Sequence, residues 1–187
     1  MHLTNPELAS REPVSIRRLF SVNSSQVSQL ATVLMDCVGG GASVSFMQPL
    51  SREHAEAFWN RVGSDVGNGD RALLIAEDAF GICGTVQLVL AQPDNQPHRA
   101  DLAKMLVHSR ARKQGLGKAL LLAAENMARD CAKSVLVLDA VTGGDAERLY
   151  ASAGWQRVGV IPNYALFPGG GYCSTTFFYR DLTLPGA

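Results

Sequence analysis

The residues best suited to chemistry lie in one segment near the middle of the chain. Residues 112–118 read R-K-Q-G-L-G-K, after an apolar run and before a pattern typical of an amphipathic helix. A helix that begins here presents about four backbone N–H groups without intrahelical partners, together with about half a positive charge. Because glycine lets an anion come close to those amides, the segment predicts a binding site for phosphate groups.

Two common phosphate motifs do not fit this segment. A P-loop requires glycine at position 112 and serine or threonine at 119, where the chain has Arg112 and Ala119. A dinucleotide fingerprint requires a third glycine at position 120, which is Leu120. An alternative without any ligand also stands, in which Gly115 and Gly117 only form a tight turn.

The hydrophobic periodicity predicts a mixed α/β order that places the segment between a strand and a helix. The strand spans 101–107, and the helix runs from about 115 to 131. The other predicted strands are 14–20, 71–77, 82–90, 135–138, 155–160 and 173–182, and the other predicted helices are 24–38, 51–66 and 146–153.

Composition narrows the class of protein. The chain has 187 residues, a length typical of one domain, so we expect a flexible tail over 1–13 and a single domain over 14–187. With 17 basic and 17 acidic residues its net charge is zero, which argues against binding nucleic acid or an anionic membrane. No stretch reaches the roughly 20 apolar residues needed to span a bilayer.

The cysteines and histidines indicate neither disulfides nor a metal. Four histidines lack the spacing of metal ligands, so no metal site is expected. The cysteines lie far apart without a C-x-x-C pair, which favours reduced, buried thiols and a cytoplasmic location. These cysteines are Cys37, Cys83, Cys131 and Cys173.

Two motifs together carry a family resemblance. The R-x-x-G-x-G pattern at 112–117, after a strand ending in Leu-Val, resembles the coenzyme A pyrophosphate loop of GNAT-type N-acetyltransferases. The segment 149–155, L-Y-A-S-A-G-W, is similar to the L-Y-x-x-x-G-F segment of that family. Ser109 departs from the pattern, since proline is common at that position. Residues 40–44 and 161–165 add a narrower likeness to the tabtoxin-resistance acetyltransferases.

The resemblance implies a fold and a cofactor. The expected fold is α/β (α+β), a mixed, mostly antiparallel sheet of about six to seven strands flanked by about four helices. The implied cofactor is acetyl-CoA, whose pantetheine arm enters where the strand at 105–107 separates from its neighbour. The implied cofactor-binding residues are Met105, Leu106, Val107, Arg112, Lys113, Gln114, Gly115, Leu116, Gly117 and Lys118.

The resemblance also assigns catalytic roles. Tyr150 is expected to protonate the departing thiolate, although its position also suits a core tyrosine on an amphipathic helix. Asp139, after a short apolar strand, is a candidate to orient the amine or accept its proton, or alternatively a turn or capping aspartate. Glu77 is a second candidate base, with a solvent-exposed hairpin charge as its alternative.

The acceptor pocket is expected between two loops, at 39–46 and 164–171. Lys104 lies in an otherwise apolar strand and would suit an acceptor with a carboxylate, such as an amino acid; a snorkelling surface lysine is the alternative. The predicted substrate-binding residues are Gly40, Ser43, Phe46, Lys104 and Tyr164.

The sequence therefore predicts an acetyl-CoA-dependent N-acetyltransferase. Acetyl would pass directly to a primary amine of a small polar, amino-acid-like metabolite or toxin. Two alternatives remain: a protein N-terminal or lysine acetyltransferase, and a non-catalytic sensor that binds acyl-CoA. The expected partner is a small-molecule amine, and a homodimer is one quaternary arrangement that the sequence leaves open.

Overall fold

The computed structural model describes residues 14–184, so the predicted tail over 1–13 and residues 185–187 lie outside the described part. Seven strands and four helices follow one another in this part. The strands are β1 Ser15–Leu19, β2 Arg71–Asp78, β3 Gly81–Val89, β4 Arg99–Val107, β5 Val135–Val141, β6 Gln156–Leu166 and β7 Tyr172–Asp181. The helices are α1 Ser24–Gly39, α2 Arg52–Asn68, α3 Leu116–Asp130 and α4 Asp145–Ser152, and a 3-10 turn spans Ser109–Ala111.

All seven strands form one sheet, in the order β1-β2-β3-β4-β5-β7-β6. Every neighbouring pair is antiparallel except β4 and β5, which run parallel. A mostly antiparallel sheet with four flanking helices is the predicted fold class, which is confirmed.

The parallel pair is short, and this creates an opening in the middle of the sheet. β4 pairs with β5 only where Arg99–Asp101 meets Val135–Val137. Beyond these residues β4 continues alongside β3, whereas β5 continues alongside β7. A bulge helps β4 turn away, because its register with β3 shifts by one residue and Lys104 has a positive φ of 49°.

The helices cover the two faces of the sheet and build two cores. α1 and α2 pack on one face around fully buried Trp59, and α3 and α4 pack on the other around Leu120 and Phe178. Along β5, Leu138 belongs to the core under α3, so strand alternation directs Asp139 to the face of α1 and α2. The two faces meet at the opening between β4 and β5.

The sequence predicted where α2 begins but not where β6 ends. Ser51, the first residue of the predicted helix 51–66, caps α2, because its hydroxyl accepts a hydrogen bond from the N–H of His54 at 3.1 Å. β6 runs to Leu166, past the predicted end at 160, so Tyr164 lies on a strand and not in a loop. A register shift between Ile161 and Ala165 breaks the alternating pattern and hid this extension.

Within residues 14–184, no helix has the length and apolar character to cross a membrane.

Two leucines on α3 test the packing of this helix. Leu120 is fully buried against the sheet, whereas Leu122 is 59% exposed. We expect Leu120→Ala to lower the free energy of unfolding by about 2–5 kcal/mol, because it leaves a cavity. Leu122→Ala is the matched control and should change it by only about 0.5 kcal/mol or less. Urea unfolding measures both; equal losses would contradict the packing described here.

Candidate active site

The loop before α3 presents a row of free backbone amides. Within the described residues, the N–H groups of 113–118 donate no hydrogen bond, and the first amide with a partner is that of Ala119, bonded to Gly115 O at 3.1 Å. Gly115 is the N-cap residue and offers no side chain to cap the helix. These amides and the positive end of the helix dipole fit the oxygens of a diphosphate.

The two glycines are required for different reasons. Gly115 has φ 80°, a left-handed conformation that other residues adopt only with strain. Gly117 has an ordinary φ, but a Cβ atom there would lie 3.2 Å from Leu149 Cδ2. The second glycine therefore lets α3 pack closely on α4, which carries Tyr150.

The basic side chains of the loop divide into anchors and free cations. Arg112 donates from Nε to Val107 O at 2.9 Å, and its own amide donates to Ser109 O at 3.3 Å. Arg110 binds both carboxylate oxygens of Asp78 at 3.1 Å. Two exposed lysines form no hydrogen bond or ion pair within the described residues and remain available to an anion, Lys113 and Lys118.

Asp36 on α1, which no sequence motif indicated, holds this loop. Its carboxylate accepts hydrogen bonds from the amide of Ser109 at 2.8 Å and from the Ser109 hydroxyl at 2.7 Å. Partial burial alone would raise the pKa of Asp36, but these bonds, with the charges of His108 and Arg112, lower it below its usual value. The serine at a position where proline is common was the available signal.

The free edge of β4 supplies further donors. His108 donates its N–H to Cys83 O on β3 at 2.8 Å. In an antiparallel ladder the amides alternate in direction, so that of Leu106 also faces β3. The N–H of Val107 consequently faces away from β3, toward the opening.

Tyr150 lies in the core under α3 and α4, together with Leu138 and Ala140 of β5. Its ring is 5% exposed and packs against Trp155 and Phe178, with centroids 5.8 and 6.1 Å away. Within the described residues its hydroxyl has no hydrogen-bond partner. Burial raises the pKa of Tyr150, and the charge of Asp139 raises it further. The phenol therefore stays protonated at neutral pH, so it can donate a proton.

On the opposite face, a pocket of about 300 Å³ collects several predicted residues. The loop after α1 forms one wall, β5 forms the floor, and β6 forms the other wall. A hydrogen bond of 2.8 Å from the Ser43 hydroxyl to Leu166 O joins the two walls. The pocket is lined by Ser43, Ser45, Phe46, Asp139, Tyr164 and Thr175, among others.

Asp139 lines this pocket, whereas the predicted substrate-binding residue Lys104 does not line it and reaches only its wall, through Ser45. Lys104 Nζ donates to Ser45 Oγ at 3.2 Å and lies 6.0 and 5.8 Å from the ring centroids of Phe46 and Phe58. Burial lowers the pKa of Lys104, against the opposing effect of Asp139. Asp139 reaches solvent through the pocket, yet partial burial raises the pKa of its carboxyl, against the effect of Lys104. A raised pKa makes Asp139 a better proton acceptor.

Two residues considered from the sequence lie elsewhere. Gly40 follows α1 and packs near Arg112, where a Cβ atom would lie 3.5 Å from its guanidinium, and it does not line the pocket. Glu77 is paired with Arg17 at 2.7 Å between β1 and β2, away from the opening. Asp139 is the candidate base that the fold brings to the pocket.

The described residues give no indication of metal chemistry. Between residues 14 and 184, no group of three or more histidine, cysteine or acidic side chains is arranged to hold a metal ion. All four cysteines are free thiols, and three of them are buried, as expected for small apolar side chains.

The sequence matches a known domain family over the part that carries the glycine loop, Asp139 and Tyr150. Residues 69–157 match the acetyltransferase (GNAT) domain. An uncharacterized N-acetyltransferase in the hisH-hisA intergenic region of Azospirillum brasilense is 30% identical over 128 residues, which cover 67% of this chain and 74% of that protein. The chain belongs to the GNAT family of acetyltransferases, and the prediction of an N-acetyltransferase is confirmed.

Solved structures share the fold at low identity. The yncA protein of Salmonella typhimurium, solved with its cofactor acetyl-CoA, has a TM-score of 0.73 and 19% identity, over 90% of this chain and 94% of that one. The ribosomal-protein-alanine N-acetyltransferase of Brucella melitensis has a TM-score of 0.73 and 20% identity, over 89% and 99% of the two chains.

Proposed function

We propose that this protein transfers the acetyl group of acetyl-CoA directly to a primary amine of a small polar acceptor. One observation supports the proposal: β5, which borders the opening, has the protonated phenol of Tyr150 in the core on one face and the pocket with the carboxylate of Asp139 on the other. Free loop amides flank the same opening. The solved complex of the yncA protein with acetyl-CoA supports the choice of cofactor.

The chain's own groups fit this cofactor. The amides of 113–118, with Lys113 and Lys118, suit its diphosphate, and the open edge of β4 suits its pantetheine arm. Acetyl-CoA supplies a thioester, which is reactive toward an uncharged amine. The remaining tasks are to position the amine, move its protons and stabilise charge at the carbonyl oxygen.

We assign each of these tasks to a group of this chain. Asp139 orients the amine and accepts its proton, directly or through water, because its carboxylate is solvent-accessible within the pocket. The N–H of Val107, on the open side of β4, is a donor for the carbonyl oxygen. Tyr150 donates its proton to the departing sulfur, and its raised pKa keeps that proton in place until it is needed.

The pocket favours a small, zwitterionic acceptor over a peptide. Its volume of about 300 Å³ suits a metabolite. Lys104 can bind a carboxylate while Asp139 holds the amine, so an amino-acid-like acceptor satisfies both charges. The narrower likeness to tabtoxin-resistance acetyltransferases supports the same class, including toxins. The four free thiols suit a cytoplasmic location.

An amine panel tests the function. Release of free thiol from acetyl-CoA is followed with amino acids, with amines that lack a carboxylate, and with peptides carrying a free N-terminus or a lysine. We expect turnover with a carboxylate-bearing small amine. Turnover confined to peptides would favour the protein acetyltransferase. Binding of coenzyme A in calorimetry without turnover of any amine would favour the acyl-CoA sensor.

Replacing the proposed acid should slow the chemical step. We expect Tyr150→Phe to lower kcat by roughly 100-fold or more, since the departing thiolate loses its proton donor. The Kd for coenzyme A, measured by calorimetry, should remain nearly unchanged because the ring is retained. Tyr172→Phe removes the hydroxyl of a 71% exposed tyrosine and is the matched control. Equal kcat values for the Tyr150 variant and the control would remove this assignment.

Replacing the proposed carboxylate partner should change acceptor choice. Lys104→Met keeps the length of the side chain and its contacts with Phe46 and Phe58 but removes the charge. For an amino acid substrate we expect kcat/KM to fall about tenfold to a hundredfold, the worth of a hydrogen bond to a charged group. The matching amine without a carboxylate should be almost unaffected. A similar loss for both acceptors would show that Lys104 does not read the carboxylate.

A further inference from the structure

We propose that Asp36 is a positioning residue for the cofactor loop: through Ser109 it holds the 3-10 turn from which the free amides of 113–118 are presented. The inference rests on the proposed function, since it assumes that these amides bind the diphosphate of coenzyme A. Asp36 touches neither cofactor nor acceptor in this arrangement. It acts through the backbone that it holds.

The contacts converge on one carboxylate. Oδ2 accepts from the Ser109 amide at 2.8 Å, and Oδ1 accepts from the Ser109 hydroxyl at 2.7 Å. The guanidinium of Arg112 lies 3.5 Å from Oδ2, and Nδ1 of His108 lies 3.9 Å from Oδ1. Both oxygens of Asp36 are therefore occupied, by donors of Ser109 and by the guanidinium of Arg112. Hydrogen bonds to a charged group are stronger than neutral ones, which suits a fixed anchor.

Ser109 is the residue that makes this anchor possible. Proline, which is common at this position in the family, has no N–H and no hydroxyl, so it could make neither bond to Asp36. The preceding residue, His108, has φ −56° and ψ 142°, which is the conformation favoured before proline. The backbone here accepts proline, yet the chain has a residue with two donors that both reach α1.

A second carboxylate anchors the same turn from another element. Asp78, at the end of β2, binds both Nε and Nη2 of Arg110 at 3.1 Å, and Arg110 also donates to Gly81 O and Ile82 O at 3.2 Å. The side chain of Arg110 thereby ties the turn to β2 and β3. Asp36 ties its backbone to α1. With both anchors in place, the amides of 113–118 keep one orientation and remain free to bind a ligand.

The test compares ligands with and without a diphosphate. Asp36→Asn and Ser109→Pro each remove donors or charge from the anchor, whereas Ser109→Thr retains both donors. For the first two variants we expect the Kd for coenzyme A to rise about tenfold or more, and Ser109→Thr should bind nearly as the wild type does. The KM for S-acetyl-pantetheine, which has no diphosphate, should not change in any of them.

Two controls separate positioning from general stability. Asp65→Asn breaks an ion pair of similar length, 2.7 Å to Arg71, between α2 and β2. It should lower the unfolding temperature without changing the Kd for coenzyme A. The double variant Asp36→Asn, Ser109→Pro should bind about as weakly as either single variant, because both remove the same anchor.

The outcomes distinguish this inference from the proposed function. Wild-type protein that fails to bind coenzyme A would overturn the proposed function. Wild-type protein that binds, together with folded Asp36→Asn and Ser109→Pro variants that bind equally tightly, would overturn the role of Asp36 alone. A rise in KM for S-acetyl-pantetheine that matches the loss of coenzyme A affinity would also overturn it, since that pattern reflects general damage to the site.

Discussion

The separation of β4 from β5 is the constraint on which the site depends. Backbone N–H and C=O groups inside a sheet are normally paired, and leaving them unpaired is costly when they are buried. Here the pairing stops after Asp101 and Val137, and the bulge at Lys104 turns β4 away. An opening between the two strands results. Unpaired edge groups of β4 thus become donors for a ligand.

The strand beside the opening also separates two groups with opposite proposed roles in proton transfer. Tyr150 belongs to the core beneath α3 and α4, where burial keeps its phenol protonated. Asp139 lies on β5 and points to the opposite face of the sheet, into a pocket open to solvent. The group proposed to donate a proton and the group proposed to accept one are therefore held on opposite faces of the sheet. Asp139 could not be moved to the other face without a change of strand register, whereas Tyr150 is held in place by the packing of α4.

A neutral chain can present an anion site because the attraction is local. The net charge is zero, and two of the arginines near the loop, Arg110 and Arg112, are engaged by protein acceptors. These arginines and their carboxylate partners fix the shape of the loop. The remaining attraction comes from backbone amides and the start of α3, with Lys113 and Lys118 beside them. Long-range charge is not needed for this kind of recognition.

The sequence by itself determined the local parts of this protein. The helix start at Gly115, the cap at Ser51 and the segment around Tyr150 depend on neighbours a few residues away, so short patterns predicted them. The tertiary structure alone decided which distant groups meet. Asp36 and Ser109 are 73 positions apart, and Ser43 and Leu166 are 123 apart. The direction of Arg112, which anchors the loop instead of facing a phosphate, also followed from the packing of α1. Such contacts depend on strand register and helix placement, which no short pattern encodes.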